Sequence, residues 1–164
     1  HISRSLKRAI LKKDYSITVN SCFPKVVEKC ADRNETWINA DIYNCYCKLH
    51  DDGFAHSVEV WHQGDLVGGL YGVRLRAAFF GESMFSRHTD ASKFALVHLM
   101  ARLRHGGFRL LDAQFSNEHL KQFGVIDVPR IEFQRRLADA LAAEADLHLA
   151  APSLPMVTEM LTAG

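Results

Sequence analysis

Phe54-Ala55-His56-Ser57-Val58-Glu59-Val60-Trp61-His62 and Leu66-Val67-Gly68-Gly69-Leu70-Tyr71-Gly72-Val73, linked by Gln63-Gly64-Asp65, decide how this chain folds. Both runs are rich in β-branched and aromatic residues, and the short Gly-containing link is a hairpin signal. Ala77–Glu82 reads as a third strand of the same meander. Gly68-Gly69 would weaken a strand interior unless another backbone or a ligand comes close there.

The pattern changes on either side of the meander. After Asp90, read as an N-cap, Leu96, Leu99, Met100 and Leu103 recur at helical spacing until Gly106-Gly107. Phe108–Asp112 reads as a buried strand, followed by a short helix over Asn117–Gln122 and a strand over Val125–Val128. Pro129 opens a last helix with Ile131, Phe133, Leu137, Ala140 and Leu141 as its apolar stripe. Residues 151–164 carry prolines and little pattern and are expected to be a mobile tail.

Toward the N-terminus, residues 3–13 predict a basic helix with Leu6, Ile10 and Leu11 on its apolar side. Tyr15–Val19 alternates as a strand, and Pro24–Ala31 predicts a helix with Val26, Val27 and Cys30 inward. A third helix starts at the N-cap Asn39 and buries Ile42, Cys45, Tyr46 and Leu49 before Gly53. A meander followed by helix, strand and helix is an α+β plan. It is compatible with an acyl-CoA N-acyltransferase (GNAT)-like mixed sheet flanked by helices.

Composition fits one domain, expected over residues 1–150 and including the basic helix. The chain has 164 residues, 48% of them hydrophobic and 24% charged. It holds no apolar run of membrane-spanning length. The opening HISRSLKR lacks the apolar segment of a secretory signal. Cys22, Cys30, Cys45 and Cys47 match neither a zinc ribbon nor a redox pair, so free thiols in the cytoplasm are expected. No histidine spacing suits a metal, and none is expected. The net charge of +1 hides a cluster of Arg4, Lys7, Arg8, Lys12 and Lys13 with no acid before Asp14. Such a cluster favours nucleic-acid phosphate, or is a solvated helix face.

Several runs are more specific than any periodicity: Thr36-Trp37-Ile38, His56-Ser57-Val58-Glu59-Val60-Trp61, Leu66–Val73, and Phe80-Gly81-Glu82-Ser83-Met84-Phe85-Ser86-Arg87. Ala91-Ser92-Lys93, Gly106-Gly107, Leu111-Asp112-Ala113-Gln114 and Asn117-x-His119 follow. Their order and spacing resemble leucyl/phenylalanyl-tRNA–protein transferases from His1 to about Phe133. Family members usually carry Cys at Ala113 and Asn at Asp90. They also precede the His1 segment with a smaller domain, which is expected to be absent here.

The resemblance implies transfer of Leu or Phe, with Met as a further donor, from aminoacyl-tRNA to proteins beginning with Lys or Arg. The transfer would mark those proteins for N-end rule degradation. The ester is already activated, so no cofactor is expected, and the enzyme is expected to be a monomer free of membranes. By resemblance Asp112, Gln114 and Glu82 form the catalytic core; Asp112 and Gln114 lie two apart at the end of a predicted strand, so both can face one side of the sheet. Leu70, Met84, Leu96, Leu99, Leu103 and Leu111 line the pocket for the apolar side chain, with Asn117 also binding substrate. Trp37 stacks on the terminal adenine, and the cations of residues 4–13 follow the acceptor-stem phosphates.

The residues also admit plainer readings. A strand-end Asp112 can cap the next turn, and Glu82 can pair with Arg87 or Lys93. The six apolar residues also read as ordinary core, and Trp37 can pack beside Ile38. A glutamine is no effective base near neutral pH, so positioning is preferred for Gln114. Two other classes are a CoA-dependent N-acyltransferase and a non-catalytic tRNA-binding module. Ser86–Ser92 lacks the glycines that cradle a CoA pyrophosphate at a helix N-terminus, which counts against the first. His56 and Ser57 are strand neighbours facing opposite sides and cannot form a hydrolase pair.

Overall fold

A computed structural model describes residues 2–12, 14–114 and 118–162. Lys13 and Asn117, expected at the tRNA and substrate sites, lie outside them. Twelve elements follow along the described chain: α1 (Arg4–Lys12), β1 (Ser16–Val19), α2 (Phe23–Ala31), α3 (Ala40–Asp51), β2 (Ala55–His62), β3 (Asp65–Leu75), β4 (Ala78–Ser86), α4 (Ala91–His105), β5 (Leu110–Asp112), α5 (Glu118–Lys121), α6 (Arg130–Leu141) and α7 (Ser153–Thr162).

The hairpin forms as its link predicts. Gln63 and Gly64 both take positive φ, 51° and 88°, the backbone of a two-residue turn that matches strand twist. The sheet order is β1-β2-β3-β4-β5, antiparallel except for the parallel β4–β5 pair. The expected mixed α+β sheet with flanking helices is what the chain forms.

Each face of the sheet has its own cluster. On one, α1, α4 and α7 cover Val58, Val60, Val67, Leu70 and Phe79. On the other, α2 and α3 cover Ala55, Leu66, Tyr71 and Phe85. Gly68 is where α4 meets the sheet: a Cβ there would lie 2.5 Å from the Ala91 Cβ. The glycine that weakens the strand therefore lets the helix dock.

Several expectations are corrected. Asp90 is not a side-chain N-cap: it sits at φ 66°, and its carboxylate pairs with Lys93 at 2.9 Å. Ser86 Oγ instead accepts from the Ser92 N–H at 3.2 Å, reaching over from the end of β4. Val125–Val128 is not a strand, since it follows the turn after α5 and leads straight into α6. On α1 only Leu6 and Ile10 are buried, and Leu11 faces solvent because three- and four-residue steps place just one stripe inward. On α6, Ile131 is exposed and only Ala140 is buried.

Residues 153–162, within the stretch expected to be a mobile tail, form α7 and pack on α4 through Met156 and Val157. The buried Arg102 anchors this segment. Its guanidinium donates to the carbonyls of Leu147 (2.8 Å), His148 and Ala151 (2.8 Å) and to Ser153 Oγ (2.7 Å). A single arginine thus satisfies carbonyls from a loop with no ladder of its own.

Candidate active site

The site takes shape where β4 outruns β5. Their pairing ends at Phe80↔Asp112, while β4 continues to Ser86. Just past that last pair, β4 carries a bulge. Gly72 pairs with Gly81 and Tyr71 with Ser83, so Glu82 has no partner on β3. Gly72 permits this crowding, since a Cβ there would lie 2.3 Å from the Phe80 carbonyl oxygen.

An inserted residue resets the alternation of side chains. Glu82 and Ser83 therefore both turn to the α2–α3 face. Ser83 Oγ accepts from Arg33 there at 3.2 Å, Phe85 joins the α2–α3 cluster, and Met84 points into the cluster beneath α4. One acid inside an apolar strand is thereby aimed at a groove of about 490 Å³. Trp37, Ile42, Cys45, Tyr46, Leu49, Val73, Phe80 and Glu82 line it.

Helix α3 supplies most of that lining. Asn39 caps it as expected, its side chain accepting from the Ile42 N–H at 2.9 Å. The stripe expected to be buried is not: Cys45 is exposed, while Ile42, Tyr46 and Leu49 are half-buried. They stop short of full burial because they wall an open groove rather than fill a core.

Glu82 Oε2 accepts from the Tyr46 hydroxyl at 2.8 Å. The ion pairs considered for Glu82 are not formed: Arg87 pairs with Asp32, and Lys93 with Asp90. Burial, then the Glu82 carboxylate beside it, pushes the Tyr46 phenol well above its ordinary value. Tyr46 therefore stays a protonated donor. Its ring stands edge-on to Trp37 at 6.2 Å and to the fully buried Tyr71 at 5.1 Å.

Across the opening, Asp112 is half-buried at the end of β5, and its Oδ1 accepts from the Gln114 N–H at 2.7 Å. The carboxylate does cap the turn. Strand alternation stops at Asp112, so Gln114 is placed by that turn and not by a shared sheet face, at φ 64°. A non-glycine residue held there stores about 1–3 kcal/mol of strain, and such residues cluster at functional sites.

The six apolar residues expected to line a pocket lie on the α4 face. Leu70, Leu96, Leu99 and Leu103 are buried, and Met84 and Leu111 are half-buried against them. Trp37 is half exposed on the opposite face. Helix α1 packs on the α4 side through Leu6 and Ile10, so its cations and Trp37 are not brought together. Arg4, Arg8 and Lys12 point to solvent, and Lys7 donates to the Leu161 carbonyl at 3.3 Å.

Sequence reading placed Tyr46 only in the core and did not single out Phe80, Val73 or Arg33. Its usable signal was a tyrosine at an inward helical position, in a fold whose adjoining strand carries an acid. Elsewhere, Ser57 Oγ donates to Glu59 Oε1 at 2.5 Å while His56 Nδ1 meets Asn20 Nδ2 at 3.0 Å. The two side chains do not meet, although Asn20 also accepts from the Ser57 N–H at 3.0 Å.

The first turn of α4 offers little to a CoA phosphate. The Ser92 N–H is taken by Ser86, and the Asp90 carboxylate stands beside it. Among the described residues no helix is long and apolar enough to cross a membrane, and no group of three or more His, Cys, Asp or Glu is placed to share a metal.

Comparison with known proteins gives the family. A family model described as leucyl/phenylalanyl-tRNA protein transferase matches residues 1–138. A leucyl/phenylalanyl-tRNA–protein transferase of Paramagnetospirillum magneticum is 58% identical over 149 residues, 88% of this chain and 71% of that protein. One of Maricaulis maris is 57% identical over 150 residues, 89% of this chain and 69% of its own length. Among solved structures, a ribosomal-protein-alanine N-acetyltransferase of Brucella melitensis aligns at 12% identity and a TM-score of 0.49, over 72% of this chain and 93% of that one.

Proposed function

We propose a reaction for this site from one premise: the chain belongs to the leucyl/phenylalanyl-tRNA–protein transferase family, a family of aminoacyltransferases. It transfers Leu or Phe, and Met as a further donor, from tRNA to the α-amine of proteins beginning with Lys or Arg. The modified proteins then enter N-end rule degradation, and the enzyme works in the cytoplasm. The α-amine attacks the ester carbonyl carbon, an amide forms, and the ester bond to the terminal ribose breaks. The ribose oxygen leaves with one proton.

The observation that carries this reading is the acid-bearing bulge facing the opening between β4 and β5. Glu82 lies on one side, and Asp112 with the strained Gln114 on the other. Asp112 fixes the backbone of Gln114, which sets where the Gln114 side chain leaves the turn. We assign Gln114 to orienting the attacking amine, Asp112 to positioning Gln114, and Glu82 to the donor ester. Holding reactants in place can supply several kcal/mol of a barrier.

The donor's adenine is assigned to Trp37, whose exposed ring edges the groove. Stacking of that kind contributes about 1–3 kcal/mol per base. Its apolar side chain is assigned to the α4 side, entering past Met84 and Leu111. Met84 and Leu111 are half-buried against Leu70, Leu96, Leu99 and Leu103, and we assign the two to the mouth of that site. Methionine at the mouth adapts to branched and aromatic guests. Arg4, Arg8 and Lys12 meet tRNA phosphates away from its 3′ end, on the other side of the sheet from Trp37.

The test is transfer of labelled Phe from Phe-tRNA to peptides that differ only in their first residue, Arg or Ala, beside a reaction supplied with acetyl-CoA. The reading expects product on the Arg peptide alone and none from acetyl-CoA. Acetylated peptide, or equal labelling of both peptides, would refute it.

A further inference from the structure

We infer that Tyr46 is a positioning residue for this reaction, holding the Glu82 carboxylate at the angle the donor ester requires. The inference rests on the reading of Glu82 as a donor-site group. Glu82 is the inserted residue of the bulge, so no β3 partner fixes its place in the ladder. A side chain at such a position needs another anchor to keep one direction. Tyr46 supplies it, its hydroxyl 2.8 Å from Oε2, while Oε1 has no such partner among the described residues.

The anchor is itself held. The Tyr46 ring is edge-on to Tyr71, which is fully buried and edge-on to Phe23 at 5.8 Å. A line of aromatic contacts thus runs from the core to the carboxylate. Edge-on packing fixes ring orientation, and here it fixes where the hydroxyl oxygen sits beside Glu82.

The chemistry of the anchor matters as much as its geometry. A lysine or arginine in its place would pair with Glu82 and spend its charge. Three cations of the neighbouring segments are engaged elsewhere: Arg87 with Asp32, Lys93 with Asp90, and Arg33 with the Cys30 carbonyl, Ser83 Oγ and the Met84 carbonyl. A neutral phenol orients the carboxylate and leaves its negative charge to act on the substrate.

The experiment is a double-mutant cycle of Tyr46→Phe and Glu82→Ala in the intact enzyme. It is read as single-turnover Phe transfer at enzyme excess, so that slow variants stay measurable, with melting curves alongside. Tyr46→Phe keeps the ring and removes only the hydroxyl. We expect it to lower the transfer rate about tenfold, the effect of losing a hydrogen bond to a charged group. Affinity for Phe-tRNA and the melting midpoint should stay near wild type. In the Glu82→Ala background the same change should cost nothing further. An equal loss in both backgrounds, or no loss in either, overturns the inference. Full activity in Glu82→Ala alone instead defeats the reading of Glu82 on which the inference rests.

Discussion

Helices α3 and α4 carry apolar stripes of the same spacing on opposite faces of one sheet, and they end in different states. On α4, Leu96, Leu99 and Leu103 are buried in one cluster with Leu70 and Phe79 of the sheet and Met156 and Val157 of α7. On α3, Ile42, Tyr46 and Leu49 are all half-buried, and no residue of the helix is fully buried. Periodicity tells which side of a helix faces the sheet. Whether that side closes depends on what stands opposite. Opposite α4 are branched and aromatic side chains that interlock with it. Opposite α3 the bulge turns a carboxylate and a serine to the same side, and apolar groups cannot close over a charge without a large penalty. The groove is the consequence.

The largest effect should come from the residues across the opening. Asp112→Ala and Gln114→Ala are each expected to lower transfer by at least about 100-fold. Unfolding free energy should stay within about 2 kcal/mol of wild type, because both side chains lie at the rim of the fold. Transfer rates and urea melts of the two variants check this together. Two fully active variants would remove the opening from the chemistry, and two unfolded ones would make it structural.

The two faces should then differ in stability. Phe79→Ala, in the closed cluster, should cost about 3–5 kcal/mol. Ile42→Ala, on the groove wall, should cost less, about 1 kcal/mol, since that side chain is only partly buried and faces the open groove. Equal unfolding midpoints for the two variants would break the comparison.

A smaller effect is expected from Leu103→Phe. Leu103 is only 4% exposed, so the larger ring should cost about 1–3 kcal/mol by overpacking. If Leu103 also backs the donor's side-chain pocket, Phe transfer should fall more than Leu transfer. The ratio of the two rates separates wall from plain core: an unchanged ratio assigns Leu103 to core alone.

The smallest effect is one of pH and belongs to the closed face. Burial pushes His98 down to about 4, and His56 likewise. In the unfolded chain both titrate near 6.5. Between those values the unfolded state binds more protons, so stability is intact above pH 6.5 and falls as the pH drops toward 4. His98→Leu removes one of the two groups. It should flatten the slope of stability against pH by at most about 1.4 kcal/mol per unit in that window. An unchanged slope would place the acid sensitivity elsewhere.

The legibility of the sequence follows the same division. The hairpin, the first four helices and the reach of β2 and β3 were readable because period and turn residues coincide there. Segments without periodicity were not: 125–128 is short and apolar like a strand but pairs with none among the described residues, and 153–162 is ordered by Arg102, far away in the chain. Glu82 could be singled out as an acid inside an apolar run. Its partner Tyr46 showed only as an inward tyrosine of α3, and nothing local shows that a bulge on β4 aims the carboxylate at it. The Asp112–Gln114 spacing was legible, but its geometry is a turn and not a strand face.

The central claim is that the donor occupies the groove on the α3 face and passes its side chain between β4 and β5. A crystal structure with an amide-linked phenylalanyl-adenosine, which cannot transfer its amino acid, tests it most directly. The account predicts adenine against Trp37, the carbonyl near Glu82 and the phenyl ring at Met84 and Leu111. A ligand seated at the first turn of α4, or a groove left empty with the ligand bound elsewhere, would contradict it.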